Sequence, residues 1–207
     1  MIIWRGEEEK IMRKSVTIDD EVYGKMTLCS KENIWKVKDK VGITINGKVC
    51  NIEVEISEYN SIYVKQKYGL FNEEITEFHK KHPELLKEDY ALECERDQKA
   101  IYKHLILDNI DCTCKNIEKA ALEKIAEILT DNSEDEYANC VGKEKAHKIY
   151  AAKTKEEKLE SLVLERMRVF REHIEITCTC DWYNYSGGFL LEENGDVMML
   201  SIDNMSI

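Results

Sequence analysis

Two pairs of cysteines, each with one residue between its members, are the side chains in this sequence best placed for metal chemistry. Cys112 and Cys114 form one pair, and Cys178 and Cys180 form the other. Four thiolates match a structural zinc site, although zinc-binding pairs are usually about two to four residues apart. In a strand, the one-residue spacing also points two small apolar side chains into a core. We expect core thiols with no metal or cofactor, and keep zinc as the alternative.

A run of acidic residues near the middle of the chain is a candidate partner-binding segment. Asp131, Glu134, Asp135 and Glu136 place four carboxylates beside the ring of Tyr137. The run follows a predicted helix, so we expect it to be exposed and loop-like. Like charges so close repel one another, and a cationic partner would relieve that repulsion. The alternative is a solvated acidic surface with no binding role.

A second candidate binding segment combines acidic and aromatic side chains after a predicted strand. Its members are Asp181, Trp182, Tyr183 and Tyr185. Binding residues often lie in loops that follow strands, and aromatic side chains contribute strongly to protein interfaces. These residues either anchor a partner or cover the core at a hairpin turn.

No motif for a nucleophile, a metal or a phosphate is present. The segment 42–48 resembles a phosphate-binding loop, but Val49 replaces the hydroxyl residue that would hold magnesium, and a predicted strand follows in place of a helix. The sequence therefore does not predict an enzyme. The alternative is a hydrolase whose carboxylates and histidines come together only in the fold.

The distribution of charge excludes some classes of partner. The chain has a net charge of −11, and residues 71–140 carry 18 acidic and 9 basic side chains. Such a field disfavours nucleic acid and anionic membranes and favours a basic protein partner. The first residues include Glu7, Glu8 and Glu9 where a signal peptide would be apolar, and no window is apolar enough to span a membrane. We expect a cytoplasmic protein with eight reduced thiols; its oligomeric state is left open.

Hydrophobic periodicity indicates which elements must position these residues. Alternating patterns predict strands within 22–56 and 166–203, with hairpin turns at Asn46-Gly47 and Asn194-Gly195. Helical spacing dominates 61–160. It predicts helices over 62–80, 84–107 and 143–160. A further helix is predicted to begin at Asn116, which is its N-cap, and to stop at 131–133. The expected fold is one α+β domain over residues 1–207. Antiparallel β-meanders form both ends of the chain, and the central helical segment packs on one face of the sheet.

Two segments resemble a group of bacterial domains that includes immunity proteins of contact-dependent and polymorphic toxin systems. The first contains Tyr23-Gly24-Lys25-Met26, Trp35 and the strands up to Ile56, and the second is the region 174–202 with its Cys-x-Cys-Asp-Trp sequence. In that group an acidic residue, a histidine and a glycine follow the Asp-Trp pair, whereas Tyr183-Asn184-Tyr185-Ser186-Gly187 stands here. The resemblance implies an α+β cytosolic protein without an established enzyme activity. Together with the acidity of residues 71–140, it leads us to expect a non-enzymatic, immunity-type protein that neutralises a basic toxin domain through an acidic surface.

Overall fold

Nine strands and seven α-helices make up the part of the chain that the computed structural model describes, which comprises residues 16–29, 32–57, 59–67, 69, 73–183, 187–201 and 204–205. The strands are β1 (Thr17–Asp20), β2 (Gly24–Cys29), β3 (Ile34–Val37), β4 (Val41–Ile45), β5 (Lys48–Ile56), β6 (Val163–Val169), β7 (His173–Thr179), β8 (Gly187–Glu192) and β9 (Val197–Ser201). The predicted α+β class is confirmed. The alternation of apolar and polar residues located every strand except β1.

The strands form one mixed sheet in the order β1-β2-β3-β5-β6-β7-β8-β9, and β4 pairs with β5 beside this path. All neighbouring pairs are antiparallel except β5 and β6, which are parallel and align Val54 with Met167. The strands β1–β5 and β6–β9 are therefore parts of a single sheet. A parallel pair needs a long crossover, and the helical region between β5 and β6 supplies it.

The two predicted Asn-Gly turns are present. Asn46 and Gly47 have φ angles of 50° and 72° and close the β4–β5 hairpin, as expected for a type I′ turn. In the β8–β9 hairpin only Gly195 has a positive φ, at 89°. There Asn194 accepts a hydrogen bond from the Asp196 main-chain N–H at 2.9 Å, which stabilises the turn through its side chain.

The helices differ from the predicted ones in length and position. They are α1 (Tyr59–Lys67), α2 (Glu73–Lys81), α3 (Glu88–Tyr102), α4 (Ile110–Asp131), α5 (Glu134–Val141), α6 (Lys143–Ala151) and α7 (Lys155–Lys158), with a 3₁₀ turn at Pro83–Leu86 and a π-helical turn at Lys103–Asp108. The helices predicted over 62–80 and 143–160 are each divided in two. The second division occurs because Thr154 and Glu157 form a capping box that starts α7.

The predicted N-cap of the long helix is wrong, although its predicted end at Asp131 is confirmed. Helix α4 begins at Ile110, so Asn116 lies inside it. The Asn116 amide donates instead to the main-chain oxygen of Gly195 at 3.0 Å, which attaches α4 to the β8–β9 hairpin. Helical spacing alone could not separate a capping asparagine from one that bonds a distant hairpin.

A single hydrophobic core joins the helices to the sheet. Ile101 of α3 and Ile117 and Ile125 of α4 share it with Trp35 of β3 and Ile176 of β7. By strand alternation, the opposite face of the sheet carries Lys36, Glu55, Arg168 and Glu175, and we call it the polar face. None of the described helices is long and apolar enough to cross a membrane.

Candidate functional site

The acidic segment 131–137 is not the loop that the sequence predicts. Glu134, Asp135 and Glu136 form the first turn of α5, and Ser133 is its N-cap. The Glu136 carboxylate accepts hydrogen bonds from the Ser133 main-chain N–H at 2.8 Å and from its hydroxyl at 2.7 Å. These hydrogen bonds lower the pKa of Glu136. Asp131 is exposed at the end of α4. Carboxylates in the first turn of a helix stabilise it, so much of this acidity has a structural explanation.

The predicted exposure of the Tyr137 ring is also wrong, because Tyr137 is part of the core with 6% exposure. Its hydroxyl donates a hydrogen bond to the main-chain oxygen of Trp182. Burial raises the pKa of Tyr137 above its ordinary value, so the hydroxyl stays protonated as a donor. The fold thus brings the two predicted binding segments together, but through a buried contact.

The segment 181–185 is only partly available to a partner. Trp182 is 2% exposed and belongs to the core, and Tyr183 is half-buried against that core. Asp181 is half-exposed and lies 3.3 Å from the Lys145 ammonium. Tyr185 lies outside the described residues. The burial of Trp182 supports the alternative in which it covers the core, and not the one in which it anchors a partner.

The two Cys-x-Cys pairs occupy different kinds of element. Cys178 is buried in β7 and Cys180 follows that strand, as the spacing predicts for core thiols. Cys112 and Cys114 lie in α4 and not in a strand, which leaves Cys112 exposed. All eight cysteines are free thiols. Among the described residues, no three His, Cys, Asp or Glu side chains are grouped in a way that could hold a metal ion.

The polar face carries a buried carboxylate surrounded by cations. Glu55 is 3% exposed, and the Arg168 guanidinium donates to it at 2.7 and 3.1 Å. The Lys36 ammonium and the Arg166 guanidinium lie 3.6 and 3.8 Å from the same carboxylate. These pairs connect β3, β5 and β6 across the sheet. Since they satisfy one another, this cluster stabilises the polar face and is not itself available to a ligand.

An open concavity of about 730 Å³ lies next to this cluster, along β7, β8 and β9. We call it the acidic groove. Its lining residues are Glu172, His173, Glu175, Leu190, Glu192, Glu193, Asn194, Leu200 and Asn204. The pairing register places Glu175 opposite Leu190, and His173 opposite Glu192, on the polar face. Four carboxylates therefore line the groove together with an imidazole and two leucines.

Two hairpin turns hold the carboxylates at one end of the groove. The β6–β7 turn, which contains Glu172, is fixed to α3 because Arg171 donates to Glu93 at 2.7 Å and to Asp97 at 2.9 Å. The β8–β9 turn, which contains Glu193, is fixed to α4 through the hydrogen bond to Gly195 described above. These hydrogen bonds restrain both turns, which would lower the entropic cost of binding a ligand between them.

Next to the β6–β7 turn, His173 has a defined orientation within the acidic groove. Its ring stacks on Phe170 with a centroid separation of 4.6 Å and an angle of 15°. Its Nε2 lies 3.3 Å from the carboxylate of Glu175, which is 2% exposed. A carboxylate that orients an imidazole is one element of general acid–base sites. No serine, threonine or cysteine lines the groove among the described residues.

Sequence reasoning missed the acidic groove because its residues are spread over three strands and two turns. One local signal was available: in β7, the apolar Ile174 and Ile176 alternate with His173 and Glu175. This alternation shows that polar groups share the other face of the strand. It does not reveal which residues of β8 and β9 lie beside them.

No family model, curated protein or solved structure matches this chain. The resemblance to immunity proteins therefore stays a prediction, and the function has to be argued from the geometry.

Proposed function

We propose that this chain is a non-enzymatic protein-binding protein that holds a basic segment of its partner in the acidic groove. The observation that carries the proposal is the composition of the groove, where Glu172, Glu175, Glu192 and Glu193 supply negative charge. No lysine or arginine is among the lining residues in the described part of the chain. A cationic side chain that enters the groove would meet the carboxylates of Glu172, Glu192 and Glu193, whereas Glu175 is already contacted by His173.

The apolar part of the groove also suits a lysine or arginine side chain. Leu190 and Leu200 lie between the acidic residues and expose apolar surface. The methylene stem of such a side chain packs well against leucine while its charged end reaches a carboxylate. Charge complementarity of this kind increases association rates and discriminates against acidic partners.

An immunity-type role is the specific form of binding that we propose, with a basic toxin domain as the partner. Its support is the resemblance of 23–56 and 174–202 to immunity-protein domains, together with the net charge of −11. Glu134 and Asp135 of α5 are exposed and lie outside the acidic groove, and they add to the negative charge that would speed association with such a partner. If the purified chain does not neutralise a toxin domain encoded beside it, the proposed immunity-type role is contradicted.

The proposal is tested with a fluorescein-labelled peptide of alternating arginine and glycine and with a matched glutamate–glycine peptide. The chain should bind the arginine peptide, with affinity that falls as salt rises, and should ignore the glutamate peptide. Replacing Glu192 and Glu193 together by lysine should weaken binding by about tenfold or more, since charged contacts contribute about 1.5–3 kcal/mol each.

The matched control changes the same number of charges elsewhere. Glu123→Lys with Glu127→Lys alters two exposed acids of α4 that lie outside the acidic groove. Binding of the arginine peptide should be retained in this control. Equal losses in the two double variants would show that only the net charge matters and would contradict a groove-specific function.

A hydrolase is the second candidate, and the contact between His173 and Glu175 is the observation that favours it. The pair could activate a water molecule, with Glu175 stabilising a protonated imidazole. The carboxylates around it oppose this candidate, because they would destabilise the negative charge that develops on a substrate oxygen. The substitution His173→Gln separates the two functions. If the chain is a hydrolase, the variant should lose its activity. If the chain is a binding protein, the variant should bind the arginine peptide nearly as well as wild type.

A further inference from the structure

A second, much smaller cavity lies where α6, α7 and the end of β7 meet. Its volume is about 10 Å³, and we call it the Trp182 pocket. The lining residues are Lys145, Lys148, Ile149, Glu157, Lys158, Ser161, Asp181 and Trp182. It shares no lining residue with the acidic groove, so whatever it binds is independent of the function proposed above.

Three hydrogen-bond donors of this pocket have no acceptor in the described part of the chain. Trp182 is 2% exposed, and its Nε1 has no hydrogen-bond partner there. The Ser161 hydroxyl oxygen accepts from the Asp181 main-chain N–H at 3.0 Å, which leaves the hydroxyl hydrogen available. The Lys158 ammonium has no carboxylate within 4.0 Å among the described residues. Of these three donors, the Trp182 indole N–H is the one that is buried without an acceptor among the described residues, which is destabilising, and together with the two donors beside it this N–H points to a ligand that accepts hydrogen bonds.

The other two lysines are already paired and mark the limits of the pocket. Lys145 lies 3.3 Å from Asp181, and Lys148 lies 2.9 Å from Glu160. The hydrogen bond from Tyr137 to the Trp182 main-chain oxygen fixes the tryptophan backbone from the core side. The Trp182 backbone and the Ser161 hydroxyl are therefore held in place before any ligand arrives, which lowers the entropic cost of binding.

Size and charge restrict the ligand. A cavity of roughly 10–15 Å³ accommodates one water-sized group, which corresponds to one oxygen atom of a larger ligand. The carboxylates of Glu157 and Asp181 would repel a tetrahedral dianion more strongly than a singly charged carboxylate, which is also planar and therefore narrower. A carboxylate can insert one oxygen and leave the rest of its molecule outside.

We propose that the Trp182 pocket binds a carboxylate group, with one carboxylate oxygen accepting hydrogen bonds from Trp182 Nε1, the Ser161 hydroxyl and the Lys158 ammonium. The carboxylate belongs either to a small organic acid or to an acidic side chain of a protein. Both present the same group to the pocket, and they differ in what must fit outside it.

The test follows the indole N–H resonances of ¹⁵N-labelled protein by NMR, with the Trp182 signal assigned from Trp182→Phe. Sodium acetate is titrated against sodium chloride at constant ionic strength. Acetate should shift the Trp182 signal saturably, and chloride should not. Lys158→Met should weaken acetate binding by about tenfold, because it removes a charged hydrogen bond. Lys143→Met is the matched control, since Lys143 is exposed on α6 and does not line the pocket.

A blocked Gly-Glu-Gly peptide distinguishes the two sources. Tighter binding of the peptide than of acetate identifies a protein side chain, and binding of acetate alone identifies a small organic acid. Either result supports the carboxylate site. The proposal is overturned if the Trp182 signal responds to acetate and chloride alike, or if Lys158→Met and Lys143→Met respond identically, because the donors would then be satisfied by water.

Discussion

The hydroxyl of Tyr137, at the centre of α5, donates a hydrogen bond to the main-chain oxygen of Trp182 after β7. This bond joins a helix of the central region to the C-terminal half of the sheet, and both residues are part of the core. A loop of 44 intervening residues is closed by a contact between two buried polar atoms, so its loss should be measurable.

The substitution Tyr137→Phe should lower the free energy of unfolding by about 1–3 kcal/mol, because the Trp182 carbonyl stays buried without a donor. Tyr150→Phe is the matched control. Its hydroxyl donates to the main-chain oxygen of Asn132 at 2.5 Å in a half-buried position, where water can replace it. Urea unfolding of the two variants measures the difference. Equal effects would show that the Tyr137 bond has no special role.

The two faces of β7 should respond differently to a carboxylate. Ile176 is fully buried in the core, so Ile176→Asp should cost more than about 4 kcal/mol and leave the protein unfolded or insoluble. Thr177 is also buried, at 7% exposure, but it lies on the polar face and pairs in register with Arg166. Thr177→Asp should therefore be the milder change. Circular dichroism and solubility after expression compare them, and similar behaviour would contradict the assigned faces.

The elements of this fold that could be predicted from the sequence are those whose pattern lies within one short segment. Alternation located β7 and the residues Ile174 and Ile176 on its buried face, because a strand that faces a core on one side repeats every two residues. The edge strand β1 has no fully buried residue, so its pattern was too weak to predict. The N-terminal strands do not form the predicted simple meander, because β3 pairs with β5 and not with β4. Their connection to the C-terminal strands through β5 and β6 depends on a parallel pairing between distant segments, which no local pattern encodes.

The binding residues were harder to predict for the same reason. The capping box of Ser133 and Glu136 is a local motif and could have been recognised from the sequence, which would have converted the predicted acidic loop into a helix start. The burial of Tyr137 could not, because it follows from the approach of Trp182. The acidic groove likewise exists only once β7, β8 and β9 are paired in register.

The cap of α5 changes what charge reversal in this segment should do. Ser133→Ala removes the side chain that accepts from the Glu136 main-chain N–H, and should destabilise the protein by about 1 kcal/mol. Asn139→Ala, at an exposed position of the same helix, should have little effect. Glu136→Lys should also be destabilising, whereas Asp135→Lys tests the acidic surface without touching the cap. Thermal unfolding of the four variants compares their stabilities. If the segment were only a solvated acidic surface, the four variants would have similar stabilities.

The thiols should fall into reactivity classes that follow their burial. Burial raises the pKa of Cys180 to about 12 and raises the pKa of Cys178 further, so neither forms a thiolate readily. Cys112 and Cys140 are exposed. In the native protein a disulfide reagent at neutral pH should react quickly with Cys112 and Cys140 and slowly with Cys178. After denaturation without a reductant all eight thiols should react, and a count of four or fewer would contradict free cysteines.

The last prediction concerns an ion pair that attaches the edge strand β1 to α3. The Asp20 carboxylate lies 2.6 Å from the Lys99 ammonium and accepts main-chain hydrogen bonds from Val22 and Tyr23 at 2.8 and 3.1 Å. Burial of Asp20 opposes its ionisation, but these hydrogen bonds outweigh burial and lower its pKa below the ordinary value of 3.8. The Lys99 pKa is raised above 10.5, since hydrogen bonds to Asp20 and Glu95 outweigh the desolvation of its ammonium.

Each shift fixes a pH window in which stability changes. The depressed pKa of Asp20 means that its contribution is complete above pH 3.8 and is lost as the pH falls through the lower pKa of the folded state. The raised pKa of Lys99 means that its contribution is complete below pH 10.5 and is lost as the pH rises through the higher folded value.

The substitution Asp20→Asn should therefore lower the free energy of unfolding by about 1–3 kcal/mol at pH 7, and its difference from wild type should shrink below pH 3.8. Asp19→Asn, at the exposed neighbouring position, should show no such convergence. Urea unfolding of the three proteins between pH 2 and pH 7 measures it, and a constant difference for Asp20→Asn across that range would show that the carboxylate charge does not stabilise this attachment.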